Sequence, residues 1–206
     1  MDELQEEIEA QGTELRVRAP EALAGTAARA ANGVITVTAT HELAVGDRVE
    51  LFAPAALADV YTVASVAENG QSFTFASGVT EALASASASF YPFYSLNPKT
   101  FSGPSGSASV IDVTTLSSKA KNKRMGLRDE GQISFTVHYV PGNVGHELLR
   151  AARKARKAAT LELAFSDEDT FWQVQGYVLS FPISGAVDGV IESNVTFEID
   201  GEILEY

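Results

Sequence analysis

Chemistry needs groups that titrate, attack or coordinate, and in this sequence they are few and scattered. The three histidines are His41, His138 and His146. None lies at ligand spacing from another histidine or a carboxylate cluster, so each reads as structural. There is no cysteine, which removes disulfides, thiolate metal sites and a thiol nucleophile. No Gly-x-Ser-x-Gly elbow presents a serine. Ser102-Gly103-Pro104-Ser105-Gly106 has the outline of a phosphate loop, but no Lys-Ser/Thr pair follows it, and it reads as a turn. Asp167-Glu168-Asp169 puts three acids together, as a hard cation requires; between two strands such a run reads as a solvated loop. No catalytic residue, metal ligand or cofactor is assigned, and the expectation is a binding or structural protein rather than an enzyme.

The elements that would position any site are mostly strands. Gln132–Tyr139 alternates strictly: Ile133, Phe135, Val137 and Tyr139 point one way, Gln132, Ser134, Thr136 and His138 the other. In 190–200, Ile191, Val195, Phe197 and Ile199 share one face; Glu192, Asn194, Thr196, Glu198 and Asp200 share the other. One face is core and one is wet, as in an antiparallel sheet solvated on one side. Strands are also read at 12–18, 160–165 and 171–181. The one helix expected runs from about Asn143 to Lys157, with Val144, Leu148, Ala151 or Ala152, Ala155 and Ala159 as its apolar stripe and Arg150, Arg153, Lys154 and Lys157 opposite.

Residues 22–92 differ in style. Short alternating runs at 33–40, 48–52 and 59–77 are separated by turn residues, the last folding as a hairpin with a two-residue turn at Asn69-Gly70. Ala/Ser/Gly-rich stretches flank them and read as linkers. The expected organisation is an N-terminal arm and first strand over 1–21, an inserted small β-barrel-like module over 22–92, and the rest of the main domain over 93–206. The arm is acidic, with only Leu4 and Ile8 to pack, so it is not a secretory signal and orders only by docking.

The 206 residues carry a formal net charge of −12, with 27 acids against 15 bases. Ten of those bases lie between Lys119 and Lys157, leaving the rest strongly acidic. Such a balance excludes tight non-specific binding to nucleic acid by the chain as a whole, while the asymmetry suits two complementary surfaces. Val110–Thr115 is β-branched and strand-like, yet it runs into a basic stretch, Lys119, Lys121, Lys123, Arg124 and Arg128, with no core residue to fold around.

Several segments in order resemble the major tail tube proteins of long-tailed, lambda-like phages (siphoviruses): Ile111-Asp112-Val113-Thr114-Thr115, then Gly126–Gly131, Ile133-Ser134-Phe135, Tyr139-Val140-Pro141-Gly142, Gly176-Tyr177-Val178, and Phe181 through Gly189 before a last strand. The resemblance covers about 12–18 and 94–206. It implies a mainly β fold, an antiparallel β-sandwich or barrel with one flanking α-helix, and a virion protein assembled in the host cytoplasm. It also implies six-membered rings of the chain that stack into a hollow tube. Double-stranded DNA passes through that tube, which meets a tape measure protein and tail terminator or tip proteins. No cofactor and no membrane binding are implied.

Within that resemblance, Gln132, Ser134, Thr136, His138, Glu192, Asn194, Thr196, Glu198 and Asp200 are the lumen-lining candidates, since a bore that passes DNA must not bind phosphates. Thr114, Thr115, Lys119, Lys121, Lys123, Arg124 and Arg128 are the candidates for a loop reaching the next ring. The inserted module is expected on the tube exterior. The alternative is a monomeric β-rich adhesin or carbohydrate-binding module using Tyr91, Phe93 and Tyr94 as a platform; a monodisperse, glycan-binding monomer would distinguish it.

Overall fold

The computed structural model describes residues 11–116, 119–166, 170–186 and 189–205. Asp167-Glu168-Asp169 and the acidic arm over 1–10 lie outside the described residues. The chain divides into two compact units: Arg16–Ser95, and Leu96–Tyr206 together with Met1–Leu15. Strand β1 (Glu14–Arg18) straddles the division.

The Arg16–Ser95 unit is antiparallel β throughout its described ladders. Its strands are β2 (Leu23–Arg29), β3 (Val34–Thr38), β4 (Arg48–Ala53), β5 (Asp59–Thr62), β6 (Ser65–Val66), β7 (Ser72–Ala76) and the 13-residue β8 (Leu83–Ser95). Hydrogen bonding runs β6-β7-β3-β2-β8, with β4 on β8 and β5 on β4. Ile35, Val37, Val49, Leu51, Phe73, Phe75 and Phe90 are core, each no more than 1% exposed. Consecutive β5 and β6 pair with β4 and β7 on either side of Val63-Ala64, where Val63 N–H donates to Asp47 O and Ala64 N–H to Thr74 O, each at 2.8 Å.

Three expectations are corrected here. The small-residue stretches are not linkers: 23–29 is β2 and 83–95 is β8, paired to each other in the middle of the sheet. Their alanines pack as core, Ala27 and Ala88 being buried. Gly25 permits close approach, because a Cβ there would lie 2.5 Å from the Thr38 carbonyl oxygen and 2.8 Å from Ala39 Cβ. The turn at Asn69-Gly70 is longer than two residues: Ala67 N–H donates to Ser72 O at 2.9 Å, and Asn69 Oδ1 accepts from Gln71 N–H. Finally, Tyr91, Phe93 and Tyr94 cannot form one platform. Phe93 is core at 0% exposure, breaking the alternation in which Ala88, Phe90 and Pro92 are buried, while Tyr91 stacks on Phe52 beneath the Arg18 guanidinium.

The second unit holds β9 (Pro98–Ser102), β10 (Ser107–Asp112), β11 (Lys123–Asp129), β12 (Gln132–His138), helix α1 (Val144–Ala155), β13 (Ala159–Ala164), β14 (Phe171–Ser180), β15 (Ile183–Ser184), β16 (Glu192–Ile199) and β17 (Leu204–Glu205). The sheet order is β13-β14-β16-β12-β9, with β15 on β16 and β17 on β14; β10 and β11 make a separate two-stranded sheet. The mainly β, antiparallel class with one helix is thus borne out among the described residues. The helix is neither long nor apolar enough to cross a membrane.

Helix α1 begins where Asn143 caps it, its side chain accepting from His146 N–H at 3.0 Å, and ends at Arg156 in the left-handed conformation (φ 54°). Its fully buried residues are Gly145, His146 and Leu149; of the expected stripe Val144, Leu148 and Ala152 are half-buried at its edge and Ala151 and Ala155 are exposed. The centre of the face is filled by a histidine, not an aliphatic. His146 is buried between Tyr139 and Phe181. Its Nε2 lies 3.1 Å from the Leu96 carbonyl, and Nδ1 accepts from Val140 N–H at 3.5 Å. The neutral ring with its proton on Nε2 satisfies both contacts. His146→Leu keeps the volume but orphans the Leu96 carbonyl and the Val140 amide. It is expected to lower unfolding free energy by about 1–3 kcal/mol, read from the urea midpoint; an unchanged midpoint would refute the clamp.

Candidate functional site: a wet sheet face and an exposed hairpin

The polar positions of β12 and β16 become one surface because of register. Antiparallel pairing sets Gln132 opposite Glu198, Ser134 opposite Thr196, Thr136 opposite Asn194 and His138 opposite Glu192. Residues directly opposite share a face, so eight of the nine candidates form four rungs, and Asp200 follows just beyond Ile199 at one end. Behind them Ile133, Phe135, Val137, Val195, Phe197 and Ile199 are buried. A one-residue slip would exchange the two sets, and burying each Phe contributes roughly 2–3 kcal/mol against that.

Neighbouring strands extend the face with residues the sequence reading missed. On β9, Thr100 lies opposite Thr136 and Ser102 opposite Ser134; on β14, Tyr177 lies opposite Glu198 and Ser180 opposite Thr196. The β9 ladder shifts between Thr136 and Val137, leaving Lys99 as the extra residue of a bulge. Bulges re-aim side chains, and here Lys99 Nζ reaches Glu192 Oε1 at 2.8 Å, with His138 Nδ1 3.6 Å from the same oxygen. The Lys99 hydrogen bond lowers the Glu192 carboxyl pKa against an opposing desolvation, with further lowering by the nearby Lys99 and His138 charges. The face is therefore charge-compensated at its Glu192 end and acidic at its Glu198–Asp200 end.

The hairpin of β10 and β11 is exposed along nearly its whole length. Val110 pairs with Met125, Ile111 with Arg124 and Asp112 with Lys123. The Ile111–Thr115 segment closes it. Asp112 Oδ1 accepts from Thr114 N–H at 2.9 Å, Val113 N–H donates to Asn122 O at 2.9 Å, and Asn122 N–H donates to Thr114 Oγ1 at 3.0 Å. Bonds from the Thr114 side chain and backbone lower the Asp112 pKa. Lys119 and Lys121 sit in the loop so closed; Thr114 and Thr115 are at its base.

Lys123, Arg124 and Arg128 are not loop residues but lie on β11. That strand carries neither alternation nor β-branching; β10 supplies the ladder that makes it extended. Leu116, Met125 and Leu127 are 110%, 75% and 89% exposed, beside exposed Val110 and Ile111. An apolar set of this kind marks an interaction surface. Arg128 pairs with Glu130 at 3.1 Å.

On the outer face of α1, Arg150 donates to Glu147 at 2.9 Å and to the Tyr139 hydroxyl at 3.2 Å, and Arg153 Nε donates to the Leu179 carbonyl. Lys154 and Lys157 are exposed. Among the described residues no three His, Asp or Glu gather as a metal site would require.

Residues 84–170 match a family described as phage tail tube, TTP, lambda-like. The matched span runs from within β8 to the end of the β13–β14 turn and contains β12, the hairpin and α1. No curated protein matches the chain.

The compensated end of the sheet face is open to measurement. Because the folded Glu192 pKa is depressed, its ion pair is present above the ordinary carboxylate range and is lost as pH falls through that lowered value. Lys99→Met should move the Glu192 titration, followed by NMR, upward toward the ordinary range; an unmoved titration would show that Lys99 is not its cause.

Proposed function

Taking the chain as a tail tube protein of the lambda-like kind, a structural component of a phage virion, we propose that its copies close into six-membered rings that stack into a hollow tube for DNA ejection. The observation that carries this is the register of β12 and β16, which merges two polar faces into one wet surface backed by a continuous core. Lining a bore with Ser134, Thr136, Asn194, Thr196 and Glu198 leaves DNA hydrated. Lysine or arginine rows would neutralise phosphates and hold the duplex by counterion release. Lys99 reaches this surface from β9, and Glu192 occupies it.

The remaining roles follow from surfaces left over. The hairpin with Thr114, Thr115, Lys119, Lys121, Lys123 and Arg124 reaches the next ring. Residues 22–92 are an insertion displayed on the tube exterior, where they are free of the bore's constraints. The tube ends meet a tape measure protein and terminator or tip proteins, and assembly takes place in the host cytoplasm.

Negative-stain micrographs of the purified full chain test the assembly: hollow polymers or rings are expected, and a monodisperse monomer at high concentration would sink it. For the bore, Asn194→Lys with Glu198→Lys should assemble normally yet slow DNA ejection severalfold at low salt, with recovery at high salt. Ejection unaffected by these lysines would put that face elsewhere.

A further inference from the structure

The base of the hairpin carries a second charged feature. A groove is lined by Gly126, Leu127, Arg128, Asp129, Glu130, Ile199, Asp200, Gly201 and Glu202. Four carboxylates, Asp129, Glu130, Asp200 and Glu202, face one guanidinium, Arg128, which is already bound to Glu130. Asp200, Glu202 and Asp129 are exposed, as is Leu127 at 89%. At the other end of the same hairpin stand exposed Lys119, Lys121 and Lys123 beside exposed Leu116. One hairpin thus holds an acidic, leucine-bearing groove at its base and a basic, leucine-bearing tip.

We propose that this groove receives the Lys119–Lys123 tip of a second copy of the chain, giving the stacking contact of the tube; the proposal rests on the tube reading above. From Lys123 to Asp129, the first groove carboxylate along β11, there are six strand steps, so these charges are about 20 Å apart along the strand. At physiological salt the Debye length is about 8 Å, so a tip does not neutralise its own groove. Each charge set is left to pair between copies. Because donor and receptor are different patches on one chain, the contact is head-to-tail and repeats without closing on itself, as a stack requires. Lysine stems lie along apolar surface while their ammonium groups reach carboxylates, which fits Leu127 flanked by Asp129 and Glu130. The pairing of tip with groove also steers and orients incoming copies.

Charge exchange in the full-length chain tests it. The tip variant is Lys119→Glu with Lys121→Glu; the groove variant is Asp200→Lys with Glu202→Lys. Each alone should cut the fraction of protein in sedimentable tubes about tenfold while circular dichroism stays unchanged. A one-to-one mixture of the two should form tubes, because each acidic tip then finds a basic groove and each basic tip an acidic one. The four-site variant should polymerise by itself. Tubes from wild-type protein, with normal tubes from either variant, or with no rescue by mixture and four-site variant alike, would overturn the contact while leaving the tube reading standing. If wild type forms no tubes, the tube reading falls and this contact falls with it.

Discussion

The antiparallel register of β12 on β16 is the constraint on which the second unit's surfaces depend. It is held from behind, by Ile133, Phe135, Val137, Val195, Phe197 and Ile199, and its consequences appear in front. Apolar burial selects one of two alternations, and selecting it places every polar residue of both strands on a single face. The polar face is in this sense a by-product of core packing.

Local devices then adjust what the register lays down. A single extra residue in β9 turns Lys99 toward Glu192, so that one end of the face is neutral and the other acidic. The hydrogen bonds among Asp112, Thr114 and Asn122 convert the end of a strand into a closed hairpin loop without any buried side chain. The apolar residues on that hairpin stay exposed, which a solitary globular chain would be expected to avoid. On the proposed polymer a neighbouring copy covers them, and the opposite charge at the two ends of the hairpin would give that neighbour a direction.

Legibility in the sequence followed how local the deciding force was. Strict alternation made β12 and most of β16 readable residue by residue; Ile191, expected in the core, lies before β16 and is exposed, and Ser193 takes the buried position. The helix was readable in extent but not in facing: with His146 at its centre, a hydrophobicity pattern selects Val144 and Leu148, whereas two hydrogen bonds and aromatic contact select His146. β2 and the Ala/Ser-rich first half of β8 were missed because Ala and Ser carry no periodicity strong enough to mark a strand. Only the close pairing seen at Gly25 and Ala27 explains why small residues are needed there. β11 was missed for a related reason, since its extended form comes from β10 and not from its own residues.

The sequence by itself determined the class of the fold: antiparallel β with one helix, an acidic chain with a basic segment, and an order of segments that resembles tail tube proteins. Composition and period-two alternation act within a few residues, so they survive without a fold. The tertiary structure alone decided that two polar faces are one, that Lys99 caps Glu192, that Phe93 is core, and that an acidic groove lies at the base of a basic hairpin. Each of these joins residues tens of positions apart, and such pairings exist only once hydrophobic burial has chosen a register.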